Sequence, residues 1–300
     1  MSAPSLQHWL ESVLVWALLW LISRIPVVTA SRLCGVCASF IGPMLPVNQV
    51  GEANLRRVLP HLTAAQRQQI LRDVWRNLGQ TVAEFPHLAK LRRLPDPSSP
   101  GPGWTITGEE IVRDLAKRGG PIINVTAHIG NWEILGLVAE QCGLRFAYFY
   151  RAASNPLVDR IICTLRDGAT PTPLPGFPKG TQGARAALAH LGRSGNLGIL
   201  VDQKLNNGIE APFFGIPAMS PPIAASFALR FNAPIMAARV IRRGPARFEV
   251  AVEILPDIAR TGRPEADVLA LTTTINEIME RWIRDTPGQW LWLHRRWPEP

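Results

Sequence analysis

The chain opens with apolar residues and becomes periodic further along. Residues 12–23 carry no charge, and a second uncharged run covers residues 33–51. The first is short for a bilayer crossing, which takes about 20 apolar residues in a helix. The second is long enough but contains Gly35, Gly42, Pro43 and Pro46. The two runs predict a helical anchor that spans once or lies deep in the membrane interface. A hydrophobic helix pair buried in a soluble protein fits the same pattern. A secretory signal fits badly, because no basic segment precedes the core and Glu11 does. Next, Thr63 and Gln66 form a capping box. Ile70, Leu71, Val74, Trp75, Leu78, Val82 and Phe85 then recur at helical spacing, a stripe that reads as core packing.

Residues 95–103 are a Pro/Gly/Ser-rich linker by composition. Beyond it, short apolar runs at 121–126, 146–150, 196–201, 234–241 and 248–254 read as strands. Helical stretches at 109–118, 132–142, 156–165, 181–191 and 223–231 separate several of them. This alternation predicts an α/β fold with a mixed, mostly parallel sheet flanked by helices. The last two strands, around Gly244-Pro245, read as an antiparallel hairpin, and a final helix covers 265–284. The expected division is a membrane-associating segment at 1–48, a helical region at 49–94, the linker at 95–103 and an α/β domain at 104–300.

Composition adds a surface preference. Charged residues are 18% against a usual value of about 25%, which suits a surface partly in contact with lipid. Ten Trp against two Tyr point the same way, since Trp favours boundaries between apolar and wet surroundings. The net charge of +9 fits an anionic membrane surface or an acidic partner, or a solvated basic face with no partner. Basic runs are short, such as Arg56-Arg57 and Arg242-Arg243, and come with no zinc-finger spacing or aromatic RNA-binding motif. Nucleic acid is therefore not an expected partner. Cys34 and Cys37 form a C-x-x-C with no second pair, inside an apolar stretch. They read as buried or lipid-facing thiols in a reducing compartment.

The sharpest chemistry lies in Ile122-Ile123-Asn124-Val125-Thr126-Ala127-His128-Ile129-Gly130-Asn131-Trp132-Glu133, a strand running through a turn into a helix. Asn131 is a natural N-cap, which puts Glu133 in the first turn. Along one continuous helix, positions five apart point about 140° away from each other. With His128 on the loop, the chain can fold back and let Glu133 touch it. The helix N-terminus favours the ionised carboxylate. Such a carboxylate would fix the imidazole tautomer and leave the other nitrogen to take a proton from a substrate hydroxyl. A loop histidine beside a helix-capping glutamate fits the same spacing. Zinc is less attractive, as the spacing is not H-E-x-x-H and no third ligand is near.

His-Ile-Gly-Asn-Trp-Glu resembles the H-x4-D/E block of glycerolipid-type acyltransferases, and specifically of the bacterial late acyltransferases of lipid A biosynthesis, the lauroyl/myristoyl enzymes. Tyr150-Arg151 with Asn155-Pro156 is similar to that family's Y-R-x-x-x-N-P. Asp202-Gln203 and residues 208–215, ending Pro-Phe-Phe-Gly, resemble its D-Q and P-F-F-G blocks. Residues 289–297 resemble its terminal W-x-W-x-H-R-R-W. The resemblance covers nearly the whole chain. It implies transfer of a fatty acyl group from acyl carrier protein to a hydroxyl of a lipid A precursor, at the cytoplasmic face of the inner membrane. It implies no metal and no organic cofactor.

Under that resemblance His128 is the general base and Glu133 its orienter. Arg166 and Arg151 are candidates for the developing oxyanion or for phosphate. Asn131, Tyr150, Asn155, Asp202, Gln203 and Lys204 are substrate-binding candidates, and Phe213 and Phe214 candidates for a pocket wall. Asp202 follows an apolar strand, where α/β folds place sites, but anchoring of the Asn206-Asn207-Gly208 turn also fits. Other acceptors (another glycolipid or an amino-acid lipid), a hydrolase acting on the same bond, and a non-catalytic lipid-binding protein remain open alternatives.

Overall fold

The computed structural model describes residues 4–256 and 260–297. Four helices come first: α1 (Leu6–Ser23), α2 (Val27–Ile41), α3 (Asn48–Val58) and α4 (Ala64–Glu84). The uncharged run at 33–51 does not form one helix. Pro43 and Pro46 lack the N–H that would continue it, so α2 ends at Ile41 and α3 begins at Asn48. The capping box of Thr63 and Gln66 is present at the start of α4. By length and composition, α1 and the stretch Val27–Met44, which is α2 with the 3-10 turn that follows it, could each cross a membrane. They differ in surroundings. α2 lies on α4 so closely that a Cβ on Gly79 would stand 2.5 Å from the Cys34 carbonyl oxygen. Most of α1 is uncovered, with Trp9, Leu14, Trp16, Trp20 and Leu21 exposed.

The remainder is the α/β unit that the alternation predicts. In chain order it contains β1 (Arg92–Arg93), β2 (Gly103–Thr107), α5 (Glu109–Arg118), β3 (Ile123–Thr126), α6 (Leu135–Gln141), β4 (Phe146–Tyr150), α7 (Pro156–Asp167), β5 (Gly176–Pro178), α8 (Thr181–Leu191) and β6 (Asn196–Leu200). Then follow β7 (Ile209–Phe213), β8 (Ile216–Ser220), α9 (Ile223–Phe231), β9 (Ile235–Gly244), β10 (Arg247–Ile254) and α10 (Pro264–Asp285). The main sheet has the order β1-β2-β10-β9-β3-β6-β4-β5. Its pairs are parallel except the β9–β10 hairpin. β7 and β8 form a hairpin of their own in which Pro212 faces Pro217. Proline donates nothing to a ladder, so a two-stranded arm with free edges tolerates it.

The sheet separates two hydrophobic layers. Ile123, Val125 and Ala127 point to one side, where α8, α9, α10 and a cluster of Trp290, Trp292 and Trp297 cover them. Residues of α5 and α6 pack on the other side, over Met236, Ala238 and Val250. β3 and β6 are adjacent and parallel, with Thr126 opposite Leu200. The chain therefore leaves both strands at the same edge, which is where open α/β sheets place ligands.

Candidate active site

His128 and Asp202 lie just beyond the ends of β3 and β6. The His128 ring Nδ1 is 2.8 Å from Asp202 Oδ1, and the His128 backbone N–H donates to Asp202 Oδ2 at 2.9 Å. Trp290 Nε1 donates to the same Oδ2 at 2.7 Å. Asp202 is fully buried. Burial alone would raise its carboxyl, but the His128 ring and N–H, together with His294, hold it well below the usual carboxylate range. An ionised Asp202 only accepts hydrogen bonds, so Nδ1 must carry a proton and Nε2 is left as the basic nitrogen. That nitrogen faces the cavity, 3.5 Å from the Gln203 side-chain nitrogen. The Trp132 ring meets the imidazole edge-on, 5.0 Å between centroids.

The sequence reading gave Glu133 as the partner of the imidazole, and here the structure differs. After Asn131 the chain makes a short 3-10 turn, Trp132–Ile134, before α6. The Glu133 carboxylate takes a paired grip from Arg166, with Nε to Oε2 at 2.9 Å and Nη2 to Oε1 at 2.7 Å, and also accepts from Trp132 Nε1. The two-pronged geometry of guanidinium and carboxylate accounts for this preference over a single imidazole contact. Burial disfavours the Arg166 charge, but Glu133 more than offsets this and raises its pKa above the ordinary arginine value. Glu133 therefore holds Arg166, and Asp202 holds His128.

The loop carrying His128 is fastened from three sides. Gly130 has φ of +59°, and a Cβ there would stand 2.1 Å from the Val240 carbonyl oxygen, so the position requires glycine. Its own carbonyl accepts from Asn77 and Thr81 of α4. The Trp-rich segment pairs with the loop on another side, with Leu291 N–H donating to the His128 carbonyl and Gly130 N–H to that of Gln289. Below it, the fully buried Glu84 accepts from Ser31, Asn131, Arg242 and the Ala246 N–H. Nothing in the local sequence pattern marked Glu84 or Arg242. Their association depends on contacts across 158 residues of chain.

A cavity of about 980 Å³ opens at this edge of the sheet and continues between the sheet and α5/α6. His128, Trp132, Glu133, Arg166 and Gln203 line the part nearest the strand ends. Arg151, Lys179 and Lys204 line it as well, Arg151 and Lys179 being exposed. Leu88, Ile106, Val112, Met236, Ala238 and Val250 line an apolar end. A basic outer region, a base with a free nitrogen and an apolar interior together suit an anionic lipid and a long hydrocarbon. The family described as bacterial lipid A biosynthesis acyltransferase matches residues 2–299. The chain belongs to that family. Among curated proteins none matches it.

The remaining candidates of this acyltransferase fall into two groups. Tyr150, Arg151, Gln203 and Lys204 line the cavity. Tyr148, which the sequence reading did not single out, also lines it beneath Arg166, and burial pushes its phenol up to about 12. The others are structural. Asn131 is fully buried, caps the 3-10 turn and donates to Glu84. Asn155 caps α7 and donates to the His8 carbonyl and the Glu11 carboxylate of α1. Phe213 and Phe214 are not cavity wall. Phe213 is fully buried between Trp290 and Trp297, and Phe214 packs near Trp292 under Arg284. Asp202 serves the imidazole and not the Asn206-Asn207-Gly208 turn.

Proposed function

We propose that this enzyme transfers a fatty acyl group from an acyl carrier protein thioester to a hydroxyl of a lipid A precursor, at the cytoplasmic face of the inner membrane. The observation that carries the reading is the 2.8 Å contact between His128 Nδ1 and the buried Asp202, which leaves Nε2 turned to the cavity. Asp202 fixes the tautomer. Nε2 takes the proton as the acceptor oxygen attacks the thioester carbonyl carbon. The resulting tetrahedral intermediate expels the carrier thiolate, which receives that proton back, and the ester forms. Arg166, held by Glu133, is the cation at the cavity wall that faces developing negative charge.

Support for the location comes from α1 and α2, whose uncovered apolar side chains suit a bilayer. Support for the donor is chemical: acyl carrier protein is acidic, and this chain carries a net +9. The lauroyl or myristoyl type of donor is our reading of the quoted motifs.

The test is mass spectrometry of a lipid A precursor incubated with the enzyme and a panel of acyl carrier protein thioesters. One added acyl chain is expected, with a loss of about 10²-fold or more in His128→Ala, the scale for removing a general base. Equal turnover by that variant overturns the role of His128. Free fatty acid released at the rate expected of transfer makes the protein a hydrolase instead.

A further inference from the structure

Successive side chains of a strand alternate between the faces of a sheet. Counting back from His128, Thr126 and Asn124 belong to the face that bears the cavity, and both line it. Ile123, Val125 and Ala127 belong to the opposite core. A row of three polar side chains thus leads from the reacting imidazole into an interior otherwise walled by Ile106, Val112, Met236, Ala238 and Val250.

Two of the three are unsatisfied. Asn124 and Thr126 are 6% and 5% exposed, and neither Asn124 Oδ1 nor Thr126 Oγ1 has a hydrogen-bond partner. An unpaired buried polar group carries the cost of its lost hydration. A plain hydrocarbon in the cavity would leave that cost in place at both residues. Leu or Val, as found elsewhere along the wall, would line a hydrocarbon channel without it.

We propose that the acyl chain drawn into this cavity carries a hydroxyl partway along its length, and that Asn124 and Thr126 recognise it. The inference rests on the acyl-transfer reading above. Complementarity specifies the group. The Asn124 oxygen needs a donor and the Thr126 hydroxyl can supply one, so a single hydroxyl between them can donate to the first and accept from the second. A keto or ether oxygen could only accept. At about 3.3 Å per residue, Thr126 lies roughly 7 Å and Asn124 roughly 13 Å along the strand from His128. At about 1.25 Å per carbon of an extended chain, this places the hydroxyl roughly six to ten carbons from a carbonyl beside the imidazole. The seated chain is the donor's, because the phosphate-bearing acceptor belongs with Arg151, Lys179 and Lys204.

The experiment compares matched donors on the full-length enzyme: acyl carrier protein loaded with 8-hydroxytetradecanoyl, β-hydroxytetradecanoyl or tetradecanoyl groups, read as the ratio of kcat/KM. Wild type is expected to favour the 8-hydroxytetradecanoyl donor about 10-fold or more over tetradecanoyl, since sites that hydrogen-bond a hydroxyl discriminate strongly against its absence. In Thr126→Val and Asn124→Leu the ratio falls toward one, whatever the absolute rates. Thermal stabilisation by the corresponding free acids reads the same preference without turnover. Equal or better use of tetradecanoyl by wild type, or a ratio that both variants leave intact, overturns the inference while acyl transfer stands. Transfer of none of the three removes the acyl-transfer reading and this inference with it.

Discussion

Two carboxylates stand close together at one edge of the sheet, and they are solvated in opposite ways. Asp202 is sealed from water and takes its hydrogen bonds from a ring N–H, a backbone N–H and an indole N–H, with no guanidinium paired to it directly. Glu133 is at the cavity wall and bound by a full positive charge. A carboxylate neutralised by a guanidinium has little field left to offer an imidazole. One held by dipoles keeps its charge and can stabilise the imidazolium that forms when Nε2 takes a proton. Spacing along the chain favoured Glu133 as the partner of His128. The chemistry of the surroundings favours Asp202.

The sharpest test of that difference is Asp202→Asn. Oδ2 accepts two hydrogen bonds, from His128 N–H and Trp290. The asparagine oxygen would take that position and turn its NH2 toward Nδ1. Nδ1 would then accept and the ring proton would move to Nε2, removing the base. A loss of about 10³-fold in kcat is expected, close to 4 kcal/mol, with little change in KM. Glu133→Gln should cost less, about 10–10²-fold, by loosening Arg166. A double-mutant cycle separates the pairs: Glu133 should couple to Arg166 and combine additively with Asp202. Strong coupling between Glu133 and His128 with none to Arg166 would restore the reading from spacing.

Smaller effects probe the support of the pair. Gly130→Ala forces a Cβ against the Val240 carbonyl at a positive φ, and about 2 kcal/mol of stability should be lost in urea titration. The smallest is a pH effect. Burial lowers the pKa of His294, and of His87 in the same sense. The unfolded chain then binds more protons than the folded one below about pH 6.5, so stability is complete above that value and declines on acidification. Melting temperatures at pH 5.5 and 7.5 check this, and His294→Leu should flatten the difference. The depressed Asp202 acts in a separate window, below about pH 4.

Much of the fold was legible in the sequence because its elements are local. The runs at 109–118, 146–150, 181–191 and 223–231 coincide with α5, β4, α8 and α9. β1, β2 and β5 were not read as strands. β1 and β5 are two and three residues long and lie at the sheet edges, where alternation has little length to show itself, and β2 begins inside the Pro/Gly-rich stretch that reads as linker. β7 and β8 were missed because proline in both suppresses a strand signal. The site divides along the same line. His128 was legible from its own turn. Its true partner lies 74 residues away, on a neighbouring strand, and only the sheet order brings the two together.

The clamp at Asn155 gives the N-terminal helix a mechanical role. Asn155 starts α7 and Arg166 lies in its last turn, while the Asn155 side chain grips His8 and Glu11 of α1. A displacement of α1 would thus be carried along α7 to the guanidinium at the cavity wall. With α1 seated in a bilayer as proposed, turnover is expected to vary with bilayer thickness and to differ between micelles and vesicles.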